Sequence, residues 1–149
     1  IFRVTLRTKP NDKEQAFRLI FEDVTQAVAP SAPSDNVGIN IRVNHNLPVF
    51  VATAGPQHTG LRVGPCIAAS QTTAGCVRLD NEGNKYAQVK SLTMNSGAWR
   101  KEVKVSARVL AGAWRQWTFD VPQNVTGPLK VTADTRDGPV TAELPLPQR

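Results

Sequence analysis

The stretch Gly38-Ile39-Asn40-Ile41-Arg42-Val43-Asn44-His45-Asn46-Leu47-Pro48-Val49-Phe50-Val51 constrains this chain most. Its odd positions carry Ile39, Ile41, Val43, His45, Leu47, Val49 and Val51, whereas its even positions carry Asn40, Arg42, Asn44, Asn46, Pro48 and Phe50. Side chains on a strand alternate sides with a period of two, so this pattern predicts a strand with one oily face and one wet face. Strands usually run about 5–6 residues, and this alternation persists for roughly twice that length. A long apolar-faced strand is an aggregation hazard, so a protein that keeps one has a use for it, either in its own core or in a partner.

The same period runs through the rest of the chain. Ile1 to Thr8 alternates, Lys9-Pro10-Asn11-Asp12-Lys13 is a polar turn, and Gln15 to Val24 is rich in residues that suit a pleated surface. These two segments are expected to pair as antiparallel strands, with Phe17, Leu19 and Phe21 on one face and Arg18, Ile20 and Glu22 on the other. Thr25 to Asn36, with Pro30 and Pro33, reads as a loop, and Ala54 to Gly60 as a linker. Beyond it, Leu61–Ala69, Cys76–Asp80, Tyr86–Met94, Val103–Leu110, Trp114–Val121, Leu129–Thr135 and Val140–Leu144 are expected strands. Asn81-Glu82-Gly83-Asn84, Asn95-Ser96-Gly97, Ala111-Gly112 and Asp137-Gly138 separate them as turns. Short strands with turns about every 8–12 residues predict an all-β antiparallel sandwich. Residues 56–149 are then one whole immunoglobulin-like domain, close to the ~100 residues it needs, and residues 1–55 about half of another. Three strands with no opposing sheet cannot cover their apolar faces. The expectation is that the front of this domain is missing or that another chain covers the face.

The chemistry of an enzyme is not visible. Of the two histidines, His45 lies on the apolar face of the strand and His58 in the linker. Glu22 and Asp23 are adjacent and so point to opposite faces of a strand. No phosphate loop and no Gly-x-Ser-x-Gly occurs, and no cofactor or metal site is expected. Net charge is +6, but the eighteen Lys and Arg residues are scattered, with no run of four or more and no aromatic-interleaved basic motif, which argues against nucleic acid as a partner. The apolar runs are too short to span a bilayer as a helix, so no membrane insertion is expected. Trp114 and Trp117, with Arg115 between them, suit either a surface stacking site or packing at a core or interface.

Cys66 and Cys76 flank Ser70-Gln71-Thr72-Thr73-Ala74-Gly75. A hairpin centred near Gln71 makes the two sulfurs face each other. The spacing is not that of a metal site. It leaves a disulfide, which implies an oxidising compartment, or two buried thiols, and the disulfide is expected.

Several blocks resemble the periplasmic pilus-assembly chaperones of the chaperone–usher pathway. Phe17-Arg18-Leu19-Ile20-Phe21-Glu22-Asp23-Val24, a Pro-containing loop, Gly38 to Val43 and Leu47 to Val51 are similar to the latter half of that family's N-terminal domain. Asn81-Glu82-Gly83-Asn84 with Tyr86 to Val89, and Val109-Leu110-Ala111-Gly112 with Arg115-Gln116-Trp117, resemble its C-terminal domain. The blocks Arg18 to Glu22 and Pro48 to Val51 look closest to the archaic branch. The opening strands of the family's first domain have no counterpart here, so the chain is expected to be N-terminally truncated.

The resemblance implies two immunoglobulin-like domains, a periplasmic location, and pilus subunits and an outer-membrane usher as partners. It implies that the strand bearing Ile39, Ile41, Val43 and Leu47 adds itself to a subunit that lacks its last strand. Ile39, Ile41 and Val43 would insert, while from Leu47 onward, through Val49 and Val51, the row turns toward the chaperone's own core. The lysine that anchors the subunit's carboxylate in many members corresponds to Pro48, which cannot serve. Arg18 on the neighbouring strand is the candidate replacement, the alternative being an ordinary solvated strand residue. Outside the family, the pattern also suits an immunoglobulin-like binding module of a cell-surface or adhesive protein, with its ligand residues on end loops.

Overall fold

Alternation becomes a strand only where a neighbour takes up the backbone hydrogen bonds, and the computed structural model shows where this happens. It describes residues 3–5, 7, 9–22, 42–66 and 74–146. Regular structure among them is entirely β, in antiparallel ladders wherever the register is defined. No helix among the described residues is long and apolar enough to cross a membrane. The expected fold class, all-β and immunoglobulin-like, is what the chain adopts. Two compact units divide it, Ala16–Phe50 on the one hand and Ile1–Gln15 with Val51–Arg149 on the other.

The larger unit is a sandwich of a three-stranded and a four-stranded sheet. β3 (Leu61–Gly64), β4 (Ala74–Asn81) and β7 (Trp114–Asp120) form the first, in the order β3-β4-β7. β5 (Ala87–Ser96), β6 (Trp99–Val109), β8 (Leu129–Thr135) and β9 (Val140–Leu144) form the second, in the order β6-β5-β8-β9. Val77 and Leu79 of β4 share one buried cluster with Val89, Leu92 and Met94 of β5, Val109 of β6 and Val131 and Ala133 of β8. Each large side chain withdrawn from water here contributes roughly 1.5–3 kcal/mol, and the cluster fixes which face of each strand turns inward.

β5 needs an irregularity to keep that face buried. Its buried residues are Ala87 and Val89, then Leu92, Met94 and Ser96, so the inward parity changes from odd to even between them. The pairing register shifts at this point toward both neighbours, β6 and β8. Opposite it, Ser106 of β6 takes a left-handed φ of 39°. A bulge of this kind spends one residue to restore alternation. At the far end of the strand, Ser96 pairs with Trp99, and Gly97 supplies the positive φ of 57° that the two-residue turn requires. That tight turn is why β6 begins at Trp99 and not at Val103, where the apolar alternation starts.

The linker segment belongs to the sandwich. Asn81, 1% exposed, is the centre of its attachment. Its Oδ1 accepts from the backbone N–H groups of Gly60 and Gly83, each at 3.1 Å. Its Nδ2 donates to the carbonyls of Lys85 at 2.8 Å and Val109 at 3.0 Å. Asn84 adds a bond from Nδ2 to the Pro56 carbonyl and accepts from the His58 N–H, both at 2.9 Å. Gly60 and Gly83 are pressed together: a Cβ on Gly60 would lie 2.6 Å from the Gly83 nitrogen. Glu14 joins the same turn, its N–H donating to the Asn84 carbonyl at 2.8 Å. The first fifteen residues therefore group with the sandwich.

In the smaller unit, β1 (Gln15–Phe21) and β2 (His45–Val51), which each reach one residue beyond it, make a two-stranded sheet with no third strand among the described residues. This corrects the expected pairing of Ile1–Thr8 with Gln15–Val24. Arg3, Val4, Thr5 and Arg7 lie outside any strand, and β1 takes its hydrogen bonds from β2.

Candidate functional site

The smaller unit concentrates exposed apolar side chains on a very small scaffold. Phe17 and Ile20 of β1 are 50% and 55% exposed, Leu47 of β2 is 49% exposed, and Val43, just ahead of β2, is 56% exposed. Phe17 and Ile20 lie three apart on one strand and so occupy opposite faces. An isolated pair of strands has no room for a core between them, which is why both faces remain wet. Along β2 exposure falls with position: His45 through Pro48 are exposed, whereas Val49, Phe50 and Val51 are half-buried. The strand is thus open at its beginning and engaged at its end.

The candidate residues are distributed as follows. Val43 and Leu47 are exposed and precede or open β2. Ile39 and Ile41 lie outside the described residues. Arg18 is exposed near the middle of β1. No ion pair among the described residues involves Arg18, and Glu22 is the one carboxylate among the described residues of this unit. The site therefore offers apolar knobs, backbone at a sheet margin and a guanidinium that makes no ion pair among the described residues. That combination suits docking of another β-structure better than bond-making chemistry.

Cys66 and Cys76 are joined in a disulfide with Cα atoms 5.8 Å apart. β3 and β4 pair with Leu61 opposite Asn81 and Gly64 opposite Arg78, a register centred on residue 71 that puts residues 66 and 76 opposite each other. The hairpin geometry read from the cysteine spacing and the observed ladder agree.

The tryptophans separate. Trp114 and Trp117 are three apart on β7: Trp117 packs against the core with the Arg115 guanidinium 5.9 Å from its ring, while Trp114 is 52% exposed. Trp114 is instead covered on one side by Arg78, whose guanidinium lies 4.6 Å from the ring centroid. Nε of Arg78 donates to both carboxylate oxygens of Asp80, at 2.9 and 3.0 Å, which locks the cation in place. This Arg78–Asp80–Trp114 cluster escapes sequence reading, although Arg-x-Asp on one face of a strand is its signal. A cavity of about 340 Å³ lies between β3 and the β8–β9 turn, where the Thr59 hydroxyl donates to Asp137 at 3.2 Å. It contains neither histidine nor cysteine, and no group of three metal-ligating side chains occurs among the described residues.

No protein-family model matches the sequence, and no curated protein matches it. The fold is similar to the crystal structure of the class 5 fimbriae chaperone CfaA, with a TM-score of 0.56 and 13% sequence identity. The match covers 94% of this chain and 62% of that one. At this identity the likeness is one of fold, shared with a fimbrial chaperone over less than two thirds of that chain's length.

Proposed function

We propose that this chain is a chaperone for fimbrial subunits that acts by lending them a strand. The observation that carries the reading is the exposed apolar row at Val43 and Leu47, on a two-stranded sheet, in a chain whose fold resembles that of a fimbrial chaperone. A subunit that lacks the last strand of its own sandwich exposes a groove. The segment from Ile39 to Leu47 adds to its edge, with main-chain hydrogen bonds for affinity and alternate side chains for fit. Burying Ile39, Ile41 and Val43 is worth roughly 1.5–3 kcal/mol each, enough to hold a subunit and still release it to a competing strand. Arg18 is proposed to grip the subunit's terminal carboxylate with two parallel hydrogen bonds. The disulfide fits the periplasm, where the chaperone would pass its cargo to an outer-membrane usher. Placement in the archaic branch rests on the sequence blocks around Arg18 and Pro48 alone.

The experiment is co-expression of the full chain with a class 5 fimbrial subunit whose N-terminal extension has been removed. A soluble one-to-one complex is expected. Ile39→Asn with Ile41→Asn is expected to abolish it while leaving the thermal unfolding of the chaperone in place. Capture that survives the double substitution refutes strand donation. Arg18→Ala is expected to weaken capture strongly, and unchanged affinity removes Arg18 from the site.

A further inference from the structure

The row that faces the partner in this reading is apolar except at one place. Ile39, Ile41, Val43 and Leu47 are aliphatic, and His45 stands between Val43 and Leu47. His45 opens β2 and is exposed, as are the residues on either side of it. We propose that His45 is the specificity-determining residue of this face, and that it makes partner binding depend on pH: the neutral imidazole docks and the imidazolium does not. The inference rests on the strand-donation reading and adds to it a constraint on the partner. The groove must offer aliphatic subsites for Val43 and Leu47 and, between them, a subsite with a neutral hydrogen-bonding group.

The physical basis is the cost of burial. Strand addition withdraws the whole row from water. A neutral imidazole taken into such a groove needs one acceptor and one donor to be satisfied. An imidazolium carries a full charge into the same place, and a buried charge without a counter-charge is expelled or neutralised. The strand brings no counter-charge with it, since residues 42–51 contain Arg42 and no carboxylate. β1, the strand paired with β2, contributes Arg18, and Glu22 lies just beyond its end. No ion pair among the described residues joins any of these to His45. Among the described residues of this unit two arginines stand against one glutamate, a net positive charge to which an imidazolium would add. Histidine ordinarily titrates near pH 6.5, so it is the side chain that converts a mild acidification into a change of charge.

The test is the dissociation constant of the full chain for a class 5 fimbrial subunit lacking its N-terminal extension, measured calorimetrically at pH 7.5 and pH 5.5. The expected result is affinity about tenfold weaker at pH 5.5, the order expected when protonation of one histidine excludes binding. In His45→Gln the ratio between the two pH values is expected to fall within twofold. A wild-type ratio within twofold overturns the inference and leaves strand donation standing. A tenfold ratio that persists in His45→Gln overturns it as well, because another group then carries the effect. Absence of binding at both pH values, with both proteins folded by circular dichroism, removes the strand-donation reading and this inference with it.

Discussion

Replacing Asn81 by alanine takes away one side chain and orphans four backbone groups. The N–H groups of Gly60 and Gly83 lose their acceptor, and the carbonyls of Lys85 and Val109 lose their donor. A buried hydrogen bond contributes about 0.5–1.5 kcal/mol net, and a buried group left unpaired costs about 1–3 kcal/mol. Water can reach part of the Gly60 and Lys85 sites once the amide is gone, so the expected loss is about 3–5 kcal/mol. Against a typical domain stability of about 5–15 kcal/mol, that is a large fraction. The assay is urea unfolding followed by tryptophan fluorescence, for which all three tryptophans lie in the sandwich unit. A fall in the midpoint with an unchanged slope is expected. Asn81→Asp discriminates further, because it keeps the acceptor and replaces both donors by a charge facing two carbonyls. It is expected to be at least as unstable as the alanine variant at neutral pH. It should regain part of the loss as pH falls and the carboxyl becomes a donor. A loss below about 1 kcal/mol in Asn81→Ala would falsify the view that this residue ties the linker to the sandwich.

Reduction of the Cys66–Cys76 disulfide, or its replacement by two serines, is expected to cost about 3 kcal/mol for a loop of this length. In calorimetry that corresponds to a fall in Tm of about 12–24 °C for a domain near 100 residues, and a shift under about 3 °C contradicts it. Gly60→Ala should be strongly destabilising, because the added carbon meets the Gly83 backbone and neither side is a flexible side chain; a melting curve equal to wild type speaks against that close approach. Leu47→Asn lies on an exposed position, so stability is expected to stay within about 0.5 kcal/mol. In the proposed function the same change weakens subunit capture, and a change in stability without a change in capture would place Leu47 in the core instead.

Much of the sandwich is legible from alternation and turn chemistry alone. Leu129–Thr135 and Val140–Leu144 are strands from end to end as expected, because the buried face of each is aliphatic or small and Asp137-Gly138 separates them. The cysteine pair is legible because its spacing is symmetric about one residue, and a hairpin has the same symmetry. Three features are hidden for identifiable reasons. The start of β6 is masked by Trp99-Arg100-Lys101-Glu102, whose pairing comes from the turn and not from an apolar face. Ile1–Thr8 alternates, yet its described residues form no strand, since alternation does not supply a partner. Asn81 reads as a turn residue, and its burial becomes apparent only when backbone groups from three segments, at Gly60, Gly83 to Lys85 and Val109, converge on its side chain. In the candidate site, the exposure of Val43 and Leu47 follows from the excess of apolar surface over strands to cover it, which composition along residues 1–55 already contains.

The disulfide also has a bearing on strand alignment. Residues 66 and 76 stand opposite each other in the ladder that pairs Leu61 with Asn81. β3 is a strand of four residues, too short to select its own alignment by side-chain packing alone. A slip by one residue would turn Leu61 and Val63 outward, and it would also separate the two sulfurs by a full position. Once formed, the bond therefore holds the first two sandwich strands in this alignment, because a slip of either would carry the two sulfurs out of bonding reach.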